Sequence, residues 1–192
     1  MSRSTTGCKA VLISVHPKFC ELIAAGLKSF EIRLSHPDAP RPFKCYIYCT
    51  LSGSNEFFKE TCGGDIAAWN RSRMSYKKGH VIGEFICDRM EPLHYRSSYT
   101  ETEACPILSK HSCLTAEEAY KYGKGRTLWG WHITELKMYD EPIPVSEFQR
   151  YNEECTAHGT DGVPPCEKGQ ACSRCALSKA PQSWTYVKEL AA

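Results

Sequence analysis

The sequence predicts an α+β fold that is mainly β, with a small closed barrel, flanking helices and a cysteine-rich C-terminal extension. Short apolar runs rich in β-branched and aromatic residues recur along the chain and read as strands. The clearest cover residues 10–16, 44–50, 80–88 and 127–139. A crossover helix comes early, whereas strands dominate the rest, and this order favours a barrel over a doubly wound sheet.

Two helices have recognisable ends. The first begins at Pro17, a residue well suited to the first helical turn, and its apolar spacing runs to Gly26, which is typical of a helix stop. The second covers residues 115–122, where Thr115 and Glu118 have the spacing of a capping box.

Composition limits the classes of protein to which this chain can belong. The chain has 192 residues, 24% of them charged, and a formal net charge of +2. A nucleic-acid partner would therefore need a local basic patch rather than a general excess of positive charge. No apolar run approaches the roughly 20 residues that cross a bilayer, and residues 1–8 contain no apolar signal core. We expect a cytoplasmic protein with reduced thiols and no membrane contact.

Apolar periodicity is lost towards the C-terminus. We therefore expect one globular domain at residues 10–148 and a cysteine-rich extension at residues 149–192 that packs on the barrel. Trp184 is too large and apolar to leave in solvent, so we expect it to dock on that barrel.

The sharpest local motif is a lysine at a helix-to-strand turn, followed by an acid and an arginine on one strand. Residues 30–34 alternate as a strand, and a period of two places Glu31 and Arg33 on the same face, with Lys28 just before them. Such a cluster can hold a phosphate or the edge of a nucleobase. A solvated strand face with a weak ion pair is the alternative interpretation.

The residues from Pro17 to Arg33 resemble the signature of the ASCH domain, in the PUA-like superfamily: an apolar helix that continues through Gly-x-Lys-x-x-Glu-x-Arg into a strand. Residues 46–50, 78–85 and 128–133 resemble later ASCH segments in the same order. The resemblance spans roughly residues 10–148. It implies a small β-barrel whose cleft suits RNA or a modified base, lined by Lys28, Glu31 and Arg33.

The same resemblance implies a possible enzyme. Some small ASCH proteins are amidohydrolases that act on acylated cytidine, with a lysine in this turn and a threonine three residues later. Lys28 matches the lysine, but Glu31 stands at the threonine position, so that nucleophile is missing. If this chain is an enzyme, Lys28 would orient the substrate and Glu31 would act as a base towards water.

Two basic segments also contain aromatic residues, a combination typical of sites for single-stranded nucleic acid. The candidate ligand-binding residues in them are Arg71, Arg73, Lys77, Lys78, Lys124, Arg126 and Trp129. Ordinary solvated loops are the alternative, with at least one tryptophan of the pair Trp129 and Trp131 in the core.

The C-terminal extension concentrates potential metal ligands. Two pairs with two-residue gaps suit tetrahedral zinc, and a closed four-ligand site would be structural. The preferred ligands are Cys155, Cys166, Cys172 and Cys175, with His158 as a substitute. An iron–sulfur cluster or free thiols are the alternatives.

Together these features favour a protein that binds RNA or a nucleotide-like ligand. A hydrolase acting on a modified nucleoside or on RNA is the second hypothesis. A structural or protein-interaction module that docks through the extension is the third.

Overall fold

Two β-sheets and two helices make up the described part of the chain. The computed structural model describes residues 5–51, 78–93, 110–151 and 175–191. In chain order its elements are β1 (Thr5–Val15), α1 (Pro17–Ala24), β2 (Phe30–Arg33), β3 (Phe43–Cys49), β4 (His80–Cys87), β5 (Met90–Leu93), α2 (Ala116–Gly123), β6 (Leu128–His132), β7 (Thr134–Pro144), a 3-10 turn (Val145–Glu147) and β8 (Trp184–Leu190).

The larger sheet has five strands in the order β7-β4-β3-β1-β8. Strands β1 and β3 run parallel, with Val11 opposite Cys45, while β8 pairs antiparallel to β1 and places Trp184 opposite Ile13. A parallel pair needs a crossover connection, and α1 lies within it. The strand from the C-terminal part of the chain is thus paired directly with the first strand.

The smaller sheet has three antiparallel strands in the order β2-β6-β5. Its register places Glu31 opposite Trp131 and Arg33 opposite Trp129. Residues opposite each other on paired strands share a face. The acid, the arginine and both tryptophans therefore lie on one face of this sheet.

The main core lies where the two sheets meet. It combines residues from β1, β3 and β4 with Trp131 from β6 and with Cys20 and Ile23 from α1. Trp131 is fully buried, and its ring centroid lies 6.2 Å from that of Trp184. The opposite face of the smaller sheet is covered by α2, through Ala119.

The predicted strand at residues 127–139 is in fact two strands. The chain leaves the smaller sheet after His132 and enters the larger sheet at Thr134. The prediction that the chain is mainly β with flanking helices is confirmed. Among the described residues, however, the strands form two separate sheets, and a closed barrel is not found.

Of the predicted C-terminal extension, the structure describes only residues 149–151 and 175–191. Trp184 packs against the main core, as expected for a docked tryptophan. Residues 152–174 lie outside the described ranges, so the boundary between domains at residues 10–148 and 149–192 stays a prediction. Neither α1 nor α2 is long and apolar enough to cross a membrane.

The capping box of α2 is present as predicted. Thr115 Oγ1 accepts a hydrogen bond from Glu118 N at 3.1 Å, and Glu118 Oε2 accepts one from Thr115 N at 2.9 Å. We expect Thr115→Ala to lower the free energy of unfolding by about 1 kcal/mol, because it leaves a helix-terminal N–H without its acceptor. Thr115→Ser is the matched control and should stay close to the wild type in urea unfolding. Equal losses in both variants would contradict this role of the hydroxyl.

Glu21 of α1 should make stability depend on pH. Its side chain is buried, and burial raises the pKa of its carboxyl from 4.5 to about 7, with Lys78 opposing the shift. The folded state therefore holds this proton more tightly than the unfolded state does. Its contribution to stability is complete below about pH 4.5 and is lost as the pH rises through about 7.

We expect Glu21→Gln to remove this part of the pH dependence and to stabilise the protein above about pH 7. Urea unfolding of the wild type and the variant, on both sides of that pH, measures the effect. An unchanged pH dependence in the variant would contradict the assignment.

Candidate functional site

A cavity of about 860 Å³ opens between the end of β1, strand β2 and the two helices. Lys28, Glu31 and Arg33 all line it. The cluster that the sequence singled out thus lies beside a space large enough for a small ligand.

Lys28 is held at the turn between α1 and β2. Gly26 has a φ of +72°, a conformation that glycine adopts without strain, and the following N–H groups of Leu27 and Lys28 both donate to the carbonyl of Leu22. This turn directs the Lys28 ammonium inward, where Nζ donates to the carbonyls of Phe30 and Ser112, each at 2.8 Å. Lys28 is 2% exposed. Burial lowers the pKa of its ammonium, although the neighbouring Glu31 carboxylate opposes this.

Glu31 lies between two cations. Its Oε2 is 3.4 Å from Lys28 Nζ, and its Oε1 is 3.0 Å from Arg33 Nη2. Glu31 and Arg33 are each 5% exposed. The interpretation of this pair as a solvated strand face is therefore wrong: the face is covered by the larger sheet and by the chain before β8.

Arg33 is anchored from both of those sides. Its Nη2 donates to the carbonyl of Ser14 at 2.7 Å, and its Nη1 donates to the carbonyl of Ser183 at 3.5 Å. These carbonyls belong to segments far apart in sequence, so the arginine links β1, β2 and the C-terminal strand region.

Two buried polar atoms of the cluster make no well-aligned hydrogen bond among the residues that the structure describes. They are Arg33 Nε and Glu31 Oε2, the second of which still lies at ion-pair distance, 3.4 Å, from Lys28 Nζ. A buried donor or acceptor without a partner costs about 1–3 kcal/mol. The cluster also carries two positive charges against one negative charge. It therefore has unused capacity for both an acceptor and a donor.

Aromatic and charged side chains surround the cluster. The ring centroid of Phe19 lies 4.8 Å from Lys18 Nζ and 5.0 Å from Lys28 Nζ. Tyr122 of α2 lines the cavity and is 39% exposed. Lys18 and Glu118, also in the lining, form an ion pair of 3.1 Å between α1 and α2.

The other predicted ligand residues lie elsewhere. Lys124 and Arg126 are exposed just after α2, and Lys78 is half-buried just before β4. Trp129 is half-buried, with its ring centroid 4.1 Å from that of His36. None of these four is among the described residues that line the cavity. Arg71, Arg73 and Lys77 lie outside the described residues.

Sequence reasoning missed several members of the site. The carbonyls of Ser14, Ser112 and Ser183 have no signature in the sequence, because every residue carries a carbonyl. Tyr122 and Glu118 could have been found, since Tyr122 lies four positions after Glu118 on a predicted helix and the two side chains must share a face.

The zinc site stays a prediction. Cys155, His158, Cys166 and Cys172 lie outside the described residues, and Cys175 is buried. The described ranges contain no group of three or more potential metal ligands. We expect metal analysis of the purified chain to find about one zinc per chain, and Cys175→Ser to lower that ratio. A metal-free wild-type protein purified without chelators would contradict the prediction.

Solved structures of an ASCH protein from Zymomonas mobilis are similar to this chain. The ASCH structure from Zymomonas mobilis has 15% sequence identity and a TM-score of 0.49, covering 72% of this chain and 75% of its own. Two variants of the same protein, each with one substitution, have TM-scores of 0.47 at the same identity. No family model and no curated protein matches the sequence.

Proposed function

We propose that this chain binds RNA or a nucleotide-like ligand by seating a nucleobase in the cavity. The observation that carries the proposal is that the Glu31 carboxylate and the Arg33 guanidinium line one cavity side by side, with Arg33 Nε making no hydrogen bond among the described residues. One is an acceptor and the other is a donor. A nucleobase edge presents a donor beside an acceptor and can satisfy both.

The walls of the cavity suit a flat ring. The ammonium groups of Lys18 and Lys28 already lie within 5.0 Å of the Phe19 ring centroid. Tyr122, by contrast, lines the cavity and is partly exposed. Tyr122 is therefore the stacking surface for the base. Removing such a contact costs about 1–3 kcal/mol per stacked base.

An RNA chain would extend from the cavity past the end of α2. Lys124 and Arg126 follow Tyr122 closely in sequence and are exposed, so they can meet phosphates next to the bound base. Phosphate contacts make log affinity fall linearly with log salt. Replacing either residue by alanine should reduce that slope by about one.

Calorimetric titration with the four common ribonucleosides tests the base site. We expect adenosine, cytidine or guanosine to bind more tightly than uridine, which has no exocyclic amino group. The analogue with a dimethylated amino group should bind at least about tenfold more weakly than the parent nucleoside, because methylation removes the donor of the hydrogen bond that Glu31 accepts. Tyr122→Ala should weaken binding by about 10- to 100-fold. Tyr120→Ala, on the same helix but outside the cavity lining, is the matched control. Absence of binding, or equal losses in the two tyrosine variants, would overturn the proposal.

Hydrolysis of a modified nucleoside is the second candidate, and the buried Lys28 favours it. Burial lowers the pKa of this lysine, and a carboxylate lies beside it. In an amide hydrolysis, Glu31 would take a proton from water, the water oxygen would attack the acyl carbon, and the C–N bond would break as the amine leaves with a proton. Incubation with an N-acylated cytidine, followed by chromatography, should then release cytidine and the carboxylic acid. An unchanged substrate would remove this candidate and leave the binding proposal in place.

A further inference from the structure

We infer that Lys18 is a phosphate-binding residue, restrained in the unliganded protein by Glu118, and that the ligand is therefore a nucleotide rather than a nucleoside. The inference rests on the proposed function, since it adds a second subsite to the same cavity. Its basis is the ion pair between α1 and α2 in the cavity lining, together with the charge balance around it.

The ion pair between Lys18 and Glu118 can break without disturbing the start of α2. Glu118 uses its two oxygens for different purposes: Oε2 accepts from Thr115 N and Oγ1 to cap α2, while Oε1 lies 3.1 Å from Lys18 Nζ. Release of Lys18 therefore leaves the helix cap in place. The two side chains are 26% and 42% exposed, and ion pairs with this much access to water are weak.

The charges around the cavity favour an anion. Its described lining contains three cations, Lys18, Lys28 and Arg33, against two carboxylates, Glu31 and Glu118. Lys28 and Arg33 are buried and share Glu31, so their charge is fixed in place. Lys18 is the cation that can exchange its partner. A phosphate offers it the same kind of charge-assisted hydrogen bond, but with a charge of about −1.5 to −2 in place of the single charge of the Glu118 carboxylate.

The distances fit one ligand that spans both subsites. Lys18 Nζ and Lys28 Nζ lie 4.8 Å and 5.0 Å from the same Phe19 ring centroid, so they are no farther apart than the sum of these distances. Glu31 lies beside Lys28, at 3.4 Å. A base on Glu31 and Arg33 and a phosphate on Lys18 are thus a short distance apart, as they are within one nucleotide.

The test compares each nucleoside with its 5′- and 3′-monophosphates by calorimetric titration at fixed salt. We expect one of the two monophosphates to bind at least about tenfold more tightly than the nucleoside. Lys18→Ala should abolish this preference. Glu118→Gln should enlarge it, because glutamine still caps the helix but no longer holds Lys18 by charge.

Lys121→Ala is the matched control, since it removes one lysine from the exposed side of α2, where Lys121 pairs with Glu117. It should leave the preference unchanged. Equal affinities of nucleoside and monophosphates for the wild type would overturn the inference while leaving the base site standing. Equal losses in Lys18→Ala and Lys121→Ala would also overturn it, since they would indicate a general effect of charge. If no nucleoside and no nucleotide binds, both the inference and the proposed function fail.

Discussion

Replacement of Glu31 by glutamine is expected to lower the free energy of unfolding by about 3–5 kcal/mol, because it removes the charge that two buried cations share. Lys28 and Arg33 keep their positions through backbone carbonyls, so the variant would hold two positive charges in a buried cluster without a counter-ion. Glutamine has nearly the same shape as glutamate. The loss would therefore report charge rather than packing.

Urea unfolding followed by circular dichroism measures this effect. Glu117→Gln is the matched control, because it removes the same charge from an ion pair on the exposed side of α2. We expect no measurable change in the control. If Glu31→Gln were as stable as the control, the cluster would not depend on its carboxylate, and the account of the buried cations would be wrong.

Trp131→Ala is expected to lower the free energy of unfolding by about 3–5 kcal/mol. The indole is fully buried where the two sheets meet, 6.1 Å from the Phe43 ring and 6.2 Å from the Trp184 ring between centroids. Its removal would leave a large void between the sheets, which the surrounding strands can fill only in part.

Trp129→Ala is the natural comparison, since Trp129 lies on the same face of β6, two residues away, and is only half-buried. We expect a clearly smaller loss there. Equal or reversed losses in the two variants would contradict the assignment of Trp131 to the core. They would also cast doubt on how the smaller sheet packs on the larger one.

Local rules were enough to locate most elements from the sequence. Pro17 and Gly26 bound α1, and Thr115 with Glu118 marks the start of α2, because these residues satisfy or end the hydrogen bonding of a helix by themselves. The period of two likewise placed Glu31 and Arg33 on one face. None of these features depends on distant parts of the chain.

The environment of that face could not be predicted in the same way. Glu31 and Arg33 are buried because the larger sheet and the chain before β8 cover their face, with the carbonyls of Ser14 and Ser183 closing over the arginine. An alternating pattern states which residues share a face, but not whether water covers it. The break at residue 133 was missed for a related reason: the strand-like alternation of apolar and polar residues continues through it, and the strand divides there only because its two parts belong to different sheets.

The basic residues show a further limit of sequence reasoning. Lys78, Lys124 and Arg126 were grouped with the site because they lie near aromatic residues in sequence, yet the described cavity is lined by Lys18 instead. Lys18 is not one of the defining residues of any sequence motif discussed above. Its importance comes from the contact between α1 and α2, which brings Glu118 to it across a hundred residues.

A crystal structure of the chain with its tightest-binding nucleoside tests the central claim most directly. The account predicts a base in the cavity, with its donor within hydrogen-bonding distance of Glu31 Oε2 and its acceptor within that distance of Arg33 Nε. A nucleoside bound outside the cavity, or seated in it without contact to either atom, would contradict the account.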